Sequence, residues 1–229
     1  MNGCNKAFTA VSMVALAMSA GSAIGSTVTV SDGDFIDSNW SETDFGNGTV
    51  FAVQDTSVGN PGSSRSVYNS TFSGFTRGFH KNLDTGATIS PATVGGIAGI
   101  DFSIDAKWDS GVGLNGHQVG MALMQAGIAF RSSVTQSVGH SAEWVTRTAS
   151  YTAADFVRFD GLPGTVDFSA GGSPITVGFQ TGINGASFTH NYVWYDNYEV
   201  VIHAVPAPGS IGLAGLGMLF MARRLRRGE

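Results

Sequence analysis

An all-β domain, arranged as a two-sheet β-sandwich of the jelly-roll kind, is the fold this sequence predicts. Three observations carry the prediction. Ile100, Phe102, Ile104, Ala106 and Trp108 interleave with Asp101, Ser103, Asp105 and Lys107, the mark of a strand with one buried face and one wet face. Glycine is abundant at 32 residues and charged residues are sparse at 13%. With Val, Ile, Thr, Phe, Tyr and Trp spread along the body, that balance favours strands joined by many turns. Before the C-terminal segment no stretch carries a persuasive helical stripe, so helices are expected only at the two ends.

Taken in order, the body opens with Val28 and Val30 in a first strand and Val50, Phe51 and Val53 in a second. The long alternation around Phe102 follows, then Val119, Met121 and Leu123, then Ile175, Val177 and Phe179. The last strand spans Tyr192 to Ile202, with Tyr192, Trp194, Tyr198, Val200 and Ile202 expected on one face and Asp196 among them. Turn chemistry separates these runs at Gly59-Asn60-Pro61-Gly62-Ser63, Asp84-Thr85-Gly86, Asp109-Ser110-Gly111, Asn115-Gly116, Gly171-Gly172-Ser173-Pro174 and Asn184-Gly185. Thr152 before Ala153-Ala154-Asp155 predicts one short helical turn. Roughly eight to eleven short strands fit this punctuation.

The two ends carry the targeting information. Residues 1–25 read as a secretory signal peptide, with Lys6 in the charged region, Ala7 to Ala20 as the apolar stretch and Ala20-Gly21-Ser22-Ala23 as small residues for signal peptidase. Cys4 is the only cysteine and departs with that peptide, so the body at 26–204 holds together without disulfides. At 205–229, Val205-Pro206-Ala207-Pro208-Gly209 precedes an uncharged run, Ser210 to Ala222, closed by Arg223-Arg224-Leu225-Arg226-Arg227. Thirteen helical residues span about 20 Å, against about 30 Å of hydrocarbon core, which makes a marginal membrane anchor. Arginines on one flank stay cytoplasmic and place the body across the membrane.

This tail resembles the PEP-CTERM sorting signal of Gram-negative bacteria in its Pro206-x-Pro208 motif, its Gly/Leu-rich apolar run and its arginine cluster. The resemblance implies recognition by an exosortase, a transient stay in the inner membrane, cleavage near the prolines, and release to the cell surface or an exopolysaccharide matrix. Ala207 stands where that family usually has glutamate. The sorting residues it implies are Pro206, Ala207, Pro208, Arg223, Arg224, Arg226 and Arg227. Trp194-Tyr195-Asp196-Asn197-Tyr198-Glu199-Val200 is similar to the closing strand of lectin-like, carbohydrate-binding jelly rolls. That second resemblance implies a structural calcium between the first strand region and an acid on the last strand, here Asp196.

Chemistry read from the residues is sparse. Seven Lys and Arg between Ser26 and Val205 face sixteen Asp and Glu, a balance of −9, and an acidic body without a basic stripe argues against nucleic acid. No G-x-S-x-G elbow is present, since Gly139-His140-Ser141-Ala142-Glu143 lacks the closing glycine. The five histidines are scattered singly, without zinc spacing. Asp101 and Asp105 share a face about 13 Å apart, too far for a retaining glycosidase pair. Asp32, Asp34 and Asp37 crowd one loop and can offer hard oxygen ligands to calcium. Trp40, Tyr68, Trp108 and Tyr195 are candidate sugar-stacking residues, core packing being the alternative for each. The sequence thus predicts an exported, non-catalytic protein, structural or glycan-binding, with a carbohydrate-active enzyme or a protein-binding adhesin as alternatives.

Overall fold

The computed structural model describes residues 25–112 and 117–205. The signal segment, the Asn115-Gly116 turn, the Pro206-Ala207-Pro208 motif and the arginines Arg223, Arg224, Arg226 and Arg227 lie outside the described residues. Among the described residues no helix is long and apolar enough to cross a membrane.

The chain is all-β. In order come β1 (Thr27–Asp32), β2 (Trp40–Asp55), β3 (Ser64–Asn82), β4 (Thr88–Ile89), β5 (Ile97–Val112) and β6 (Gln118–Gln125). They are followed by β7 (Ile128–Ser132), β8 (Gln136–Ser137), β9 (Val145–Tyr151), β10 (Phe156–Arg158), β11 (Ile175–Gly185) and β12 (Thr189–Ala204). Among the described residues the one α-helix, α1 (Pro91–Val94), begins on proline and stops at Gly95, whose φ of 78° is left-handed. The expected turn after Thr152 is a 3-10 turn closed by a reciprocal Thr152–Asp155 capping box.

All the described strands belong to one twelve-stranded sheet, which runs β10-β7-β6-β11-β3-β12-β5-β9 along its main path. It is curled into two layers because β3 serves both. Residues 65–71 of β3 pair with β12, whereas residues 74–81 pair with β11. β2 follows β3 through both layers, with a register shift between Gly46 and Gly48 where β3 bulges through Phe72 to Phe75. Gly46 sits at φ 104°, and a Cβ there would lie 2.2 Å from the Phe75 carbonyl oxygen, so only glycine fits the fold line. The β2–β3–β12–β5–β9 side is called the upper layer below, and the β2–β3–β11–β6–β7–β10 side the lower layer.

Between the layers lies the core. The predicted inward residues Ile100, Phe102, Ile104, Val119, Met121, Leu123, Ile175, Val177 and Phe179 are all buried there. The core also holds a polar spine. Buried Arg65 pairs with Glu42 and, at 3.3 Å, with Asp37, and burial pulls its guanidinium down to about 10, against the pull of Asp37 and Asp32. His80 Nε2 meets Thr181 Oγ1 at 3.0 Å, Thr181 donates to Asn69 Oδ1 at 3.2 Å, and Asn69 reaches His117 Nε2 at 3.4 Å.

Two expected turns fall elsewhere. Asp109-Ser110-Gly111 lies inside β5, where Asn191 pairs with Gly111, and Asn184-Gly185 ends β11, so the hairpin turns at 186–188. Glycine here serves close strand approach rather than reversal, because a Cβ on Gly111 would lie 2.5 Å from the His190 carbonyl oxygen.

Candidate functional site

The last strand sets the site, and its side-chain phase differs from the simple alternation. Asn197 has φ 49°, and the β12–β5 register shifts between Asp196 and Glu199. An extra residue of this kind reverses which face the following side chains take. Tyr198, Val200 and Ile202 therefore point into the core, while Tyr192 and Trp194 lie outside it. The expectation that all five share one face is corrected by this bulge.

The register then builds the outer surface of the upper layer. Phe51 of β2, Tyr68 of β3, Tyr192 of β12 and Ser110 of β5 stand side by side in one row across four strands. The row beside it is Val53, Ser66, Trp194 and Lys107. Tyr68 packs on Tyr192 at 4.7 Å and on His190 at 6.0 Å, His190 lies 5.3 Å from Phe188, and Phe188 lies 5.3 Å from Phe72. At the other end Lys107 Nζ sits 5.6 Å from the Trp194 ring and 5.9 Å from the Trp144 ring. Trp194 Nε1 donates to Asp55 Oδ2 at 3.1 Å, which fixes the indole. From Phe188 to Trp194 this aromatic track follows β12 for about 20 Å. Much of it is open to water, with Phe51 at 57%, Phe188 at 46% and Tyr192 at 39% exposure.

Of the four aromatic residues singled out from the sequence, only Tyr68 lies on this track. Trp40 and Tyr195 are not sugar platforms, being 4% and 0% exposed. Trp40 packs against Phe35, Phe179 and Tyr198 at 5.1 to 5.5 Å, and Tyr195 against Phe179 at 5.3 Å. Trp108 is half-buried at the rim of the core, with His140 4.3 Å away. Tyr192, Trp194, Trp144, Phe51 and His190 were missed. The signal for Tyr192 and Trp194 was their i, i+2 spacing, obscured because Asp-Asn in the following turn hides a bulge.

Of the calcium candidates, Asp34 lies near enough to Asp196 for its charge to act there, while Asp32 and Asp37 are engaged elsewhere. Asp32 accepts the backbone N–H of Asp34 and Phe35 at 2.9 and 2.8 Å and Trp40 Nε1 at 2.8 Å, so it holds the loop around Phe35. Asp37 accepts Gln54 N at 2.7 Å and faces Arg65. Asp196 is buried under the loop before β3, accepting N–H bonds from Asn60 and Asn197. Burial pushes its carboxyl up, those two N–H donors pull it down, and the charges of Asp105 and Asp34 push it up further. Asp105, its cross-strand partner, is held by Asn60 Nδ2 at 3.0 Å, Asn197 Nδ2 at 2.9 Å and Thr146 Oγ1 at 2.6 Å. Amide and hydroxyl donors thus satisfy this acid pair, and among the described residues no group of three or more His, Cys, Asp or Glu is placed to hold a metal ion.

Farther along the same surface, Asp101, Ser103, Thr148, Ser150 and Glu199 line a shallow groove of about 230 Å³. Asp101 accepts Ser150 Oγ at 2.6 Å and contacts His203 Nε2 at 2.7 Å. Those two hydrogen bonds hold its carboxyl below the usual carboxylate range. The order is Ser–Asp–His, without the Ser–His contact that activates a nucleophile. Ser141 Oγ donates instead to the Glu143 carbonyl at 3.2 Å.

No protein-family model matches the chain, and no curated protein matches it. Among solved structures it is similar to the family 11 carbohydrate-binding module from Clostridium thermocellum in complex with a β-1,3-1,4-mixed-linked tetrasaccharide. Identity there is 14%, over 78% of this chain and 96% of the module, with a TM-score of 0.44. The CBM22-1 xylan-binding domain of Paenibacillus barcinonensis Xyn10C is 11% identical, over 79% of this chain and 97% of that domain, with a TM-score of 0.41. The enzymatically active domain of bacteriophage CBA120 tailspike protein 4 is 11% identical, over 70% of this chain and 19% of that one, with a TM-score of 0.37. Overlaps this loose carry no ligand or activity from one chain to another.

Proposed function

We propose that this is an exported, non-catalytic protein of the cell surface or extracellular matrix that binds polysaccharide along the outer surface of its upper layer. The observation that supports the reading is the aromatic track itself. Phe72, Phe188, His190, Tyr68 and Tyr192 form a chain of contacts at 4.7 to 6.0 Å, with the Trp194–Lys107–Trp144 cluster beyond. Sugar rings stack their C–H faces on such aromatic groups, while Asp55, Ser66 and Ser110 beside them supply hydroxyl partners. An open, ridge-like track suits an extended chain better than a single sugar. Delivery rests on the two ends, with signal peptidase removing the N-terminal segment and an exosortase acting at Pro206-Ala207-Pro208.

A carbohydrate-active enzyme is the second reading, favoured by Asp101 and Glu199 in one groove. It requires an acid with a raised pKa beside an ionised carboxylate, and Asp101, held low by Ser150 and His203, fits only the ionised role.

The test is titration of the purified protein against a panel of matrix polysaccharides, with and without a chelator, alongside a reducing-end assay. Binding without turnover is expected, weakened by Tyr192→Ala and Trp194→Ala. Released reducing ends or unsaturated products would establish the enzyme, and binding that survives periodate treatment of the target would establish a protein ligand. Affinity lost on chelation would restore a cation to the site. Mass spectrometry of the exported protein should find termini near Ile24–Thr27 and Val205–Pro208, and retention of Arg224 to Arg227 at the surface would end the sorting proposal.

A further inference from the structure

The outer surface of the lower layer collects most of the positive charge of this acidic body. Of the seven Lys and Arg between Ser26 and Val205, Arg77, Lys81, Arg131 and Arg158 belong to it. The register places Lys81 and Arg131 at the two ends of one row, with only Gly178 of β11 and Ala122 of β6 between them. Arg77 shares this face of β3, since alternate residues of a strand point the same way. Arg158 lines the same surface beside Phe45 and Phe79.

Most of this charge is unneutralised. Arg158 has a counter-ion, donating through Nε to Asp160 at 2.9 Å. Among the described residues Arg77, Lys81 and Arg131 make no salt bridge, the five observed involving Arg65 twice, His80, Arg158 and His203. Arg77 and Arg131 are also half-buried. Burial pulls both guanidiniums down, and the like charge of Arg131 pulls Arg77 down further. Arg131 Nε is fully buried without a hydrogen-bond partner among the described residues, which leaves the guanidinium poorly solvated.

Beside the cations lies an apolar cleft of about 270 Å³, whose lining includes Phe45, Phe79, Met124, Ala129 and the Arg158–Asp160 pair. Phe159 covers Ala122 and most of Phe79, so the wall that a flat ring can reach is formed by Phe45, Met124 and Ala129, beside the Arg158 guanidinium.

We propose that this surface is a separate binding site for an acidic polysaccharide, a uronic-acid-type chain. Its carboxylates pair with Arg77, Lys81 and Arg131, and a sugar ring rests in the cleft against Phe45 and Met124. The assignment follows from combining fork-shaped donors that match carboxylates with an apolar ring-sized floor. It is independent of the aromatic track on the upper layer.

Calorimetric titration of the purified protein with an oligouronate tests it, using the carboxyl-reduced form of the same oligosaccharide and polyglutamate as comparison ligands. The oligouronate is expected to bind, with affinity falling as salt rises. Arg77→Gln and Arg131→Gln should each weaken it roughly tenfold, and Tyr192→Ala and Trp194→Ala should leave it unchanged. Lys81→Gln, at a half-exposed position, serves as a third variant if an arginine variant fails to fold. Equal binding of the carboxyl-reduced oligosaccharide, equal binding of polyglutamate, or indifference of the folded variants would overturn the proposal. Loss of binding in Trp194→Ala alone would move the acidic chain to the aromatic track.

Discussion

The two outer surfaces of this sandwich use aromatic side chains in opposite ways. On the lower layer Phe45, Phe79 and Phe159 stack on one another at 4.4 and 5.8 Å, and Phe159 is carried over the sheet by the segment after β10. Phe79 and Phe159 are buried there as a satellite core with Ala122. On the upper layer Phe51, Tyr192 and Phe188 touch neighbours but keep large areas in water. No described segment is folded over them, and the loop before β3 is committed to Asp105 and Asp196 through Asn60. Covered aromatic groups stabilise the fold, whereas uncovered ones stay available to a ligand at the expense of apolar surface left in water.

The comparison can be broken most directly by truncation. Phe159→Ala should destabilise the protein by about 3–5 kcal/mol, read as a fall in the denaturation midpoint. Tyr192→Ala should change stability by no more than about 0.5 kcal/mol while weakening polysaccharide binding. Equal losses of stability in the two variants would show that the upper aromatic track is core after all.

Acid should undermine both layers together, through the spine between them. Burial holds His80 well below its usual value, with Arg65 and His117 adding to the effect, and burial alone pulls His117 down to about 3. Both stay neutral in the fold but titrate near 6.5 once unfolded, so stability is complete above pH 6.5 and falls as the pH drops below it. Each contributes a loss of about 1.4 kcal/mol per pH unit, and for His117 the loss continues down to about pH 3. Urea midpoints at pH 7.5, 6.5 and 5.5 check the slope, and a flat profile would mean that neither imidazole is sealed from protons. A modest effect belongs to Lys107, held between Trp144 and Trp194. Lys107→Met should lower stability by about 0.5–1 kcal/mol and loosen the two indoles, visible as altered tryptophan fluorescence.

Much of the strand framework was legible because burial repeats at the strand period. The runs around Phe102, Met121 and Val177 went inward as their alternation required. Alternation failed at Asn197, where one residue with positive φ exchanged the faces of Tyr192 and Tyr198 without changing their spacing in sequence. It failed differently at Trp40, since nothing local distinguishes an indole packed against Phe35 and Tyr198 from one open to solvent. The acids misled for the same reason. Asp32 and Asp37 are neighbours in a loop, yet Trp40 claims one and Arg65 the other.

The sequence by itself therefore determined an all-β body, its main strands and its acidity. Those properties are additive along the chain or repeat at a local period. Only the tertiary structure decided that β3 serves two layers, that Tyr68 and Tyr192 meet on an open surface, and that Arg77, Lys81 and Arg131 share the other. The reason is physical: cross-strand register joins residues separated by more than a hundred positions, as in Tyr68 beside Tyr192, and a single bulge decides which face each presents.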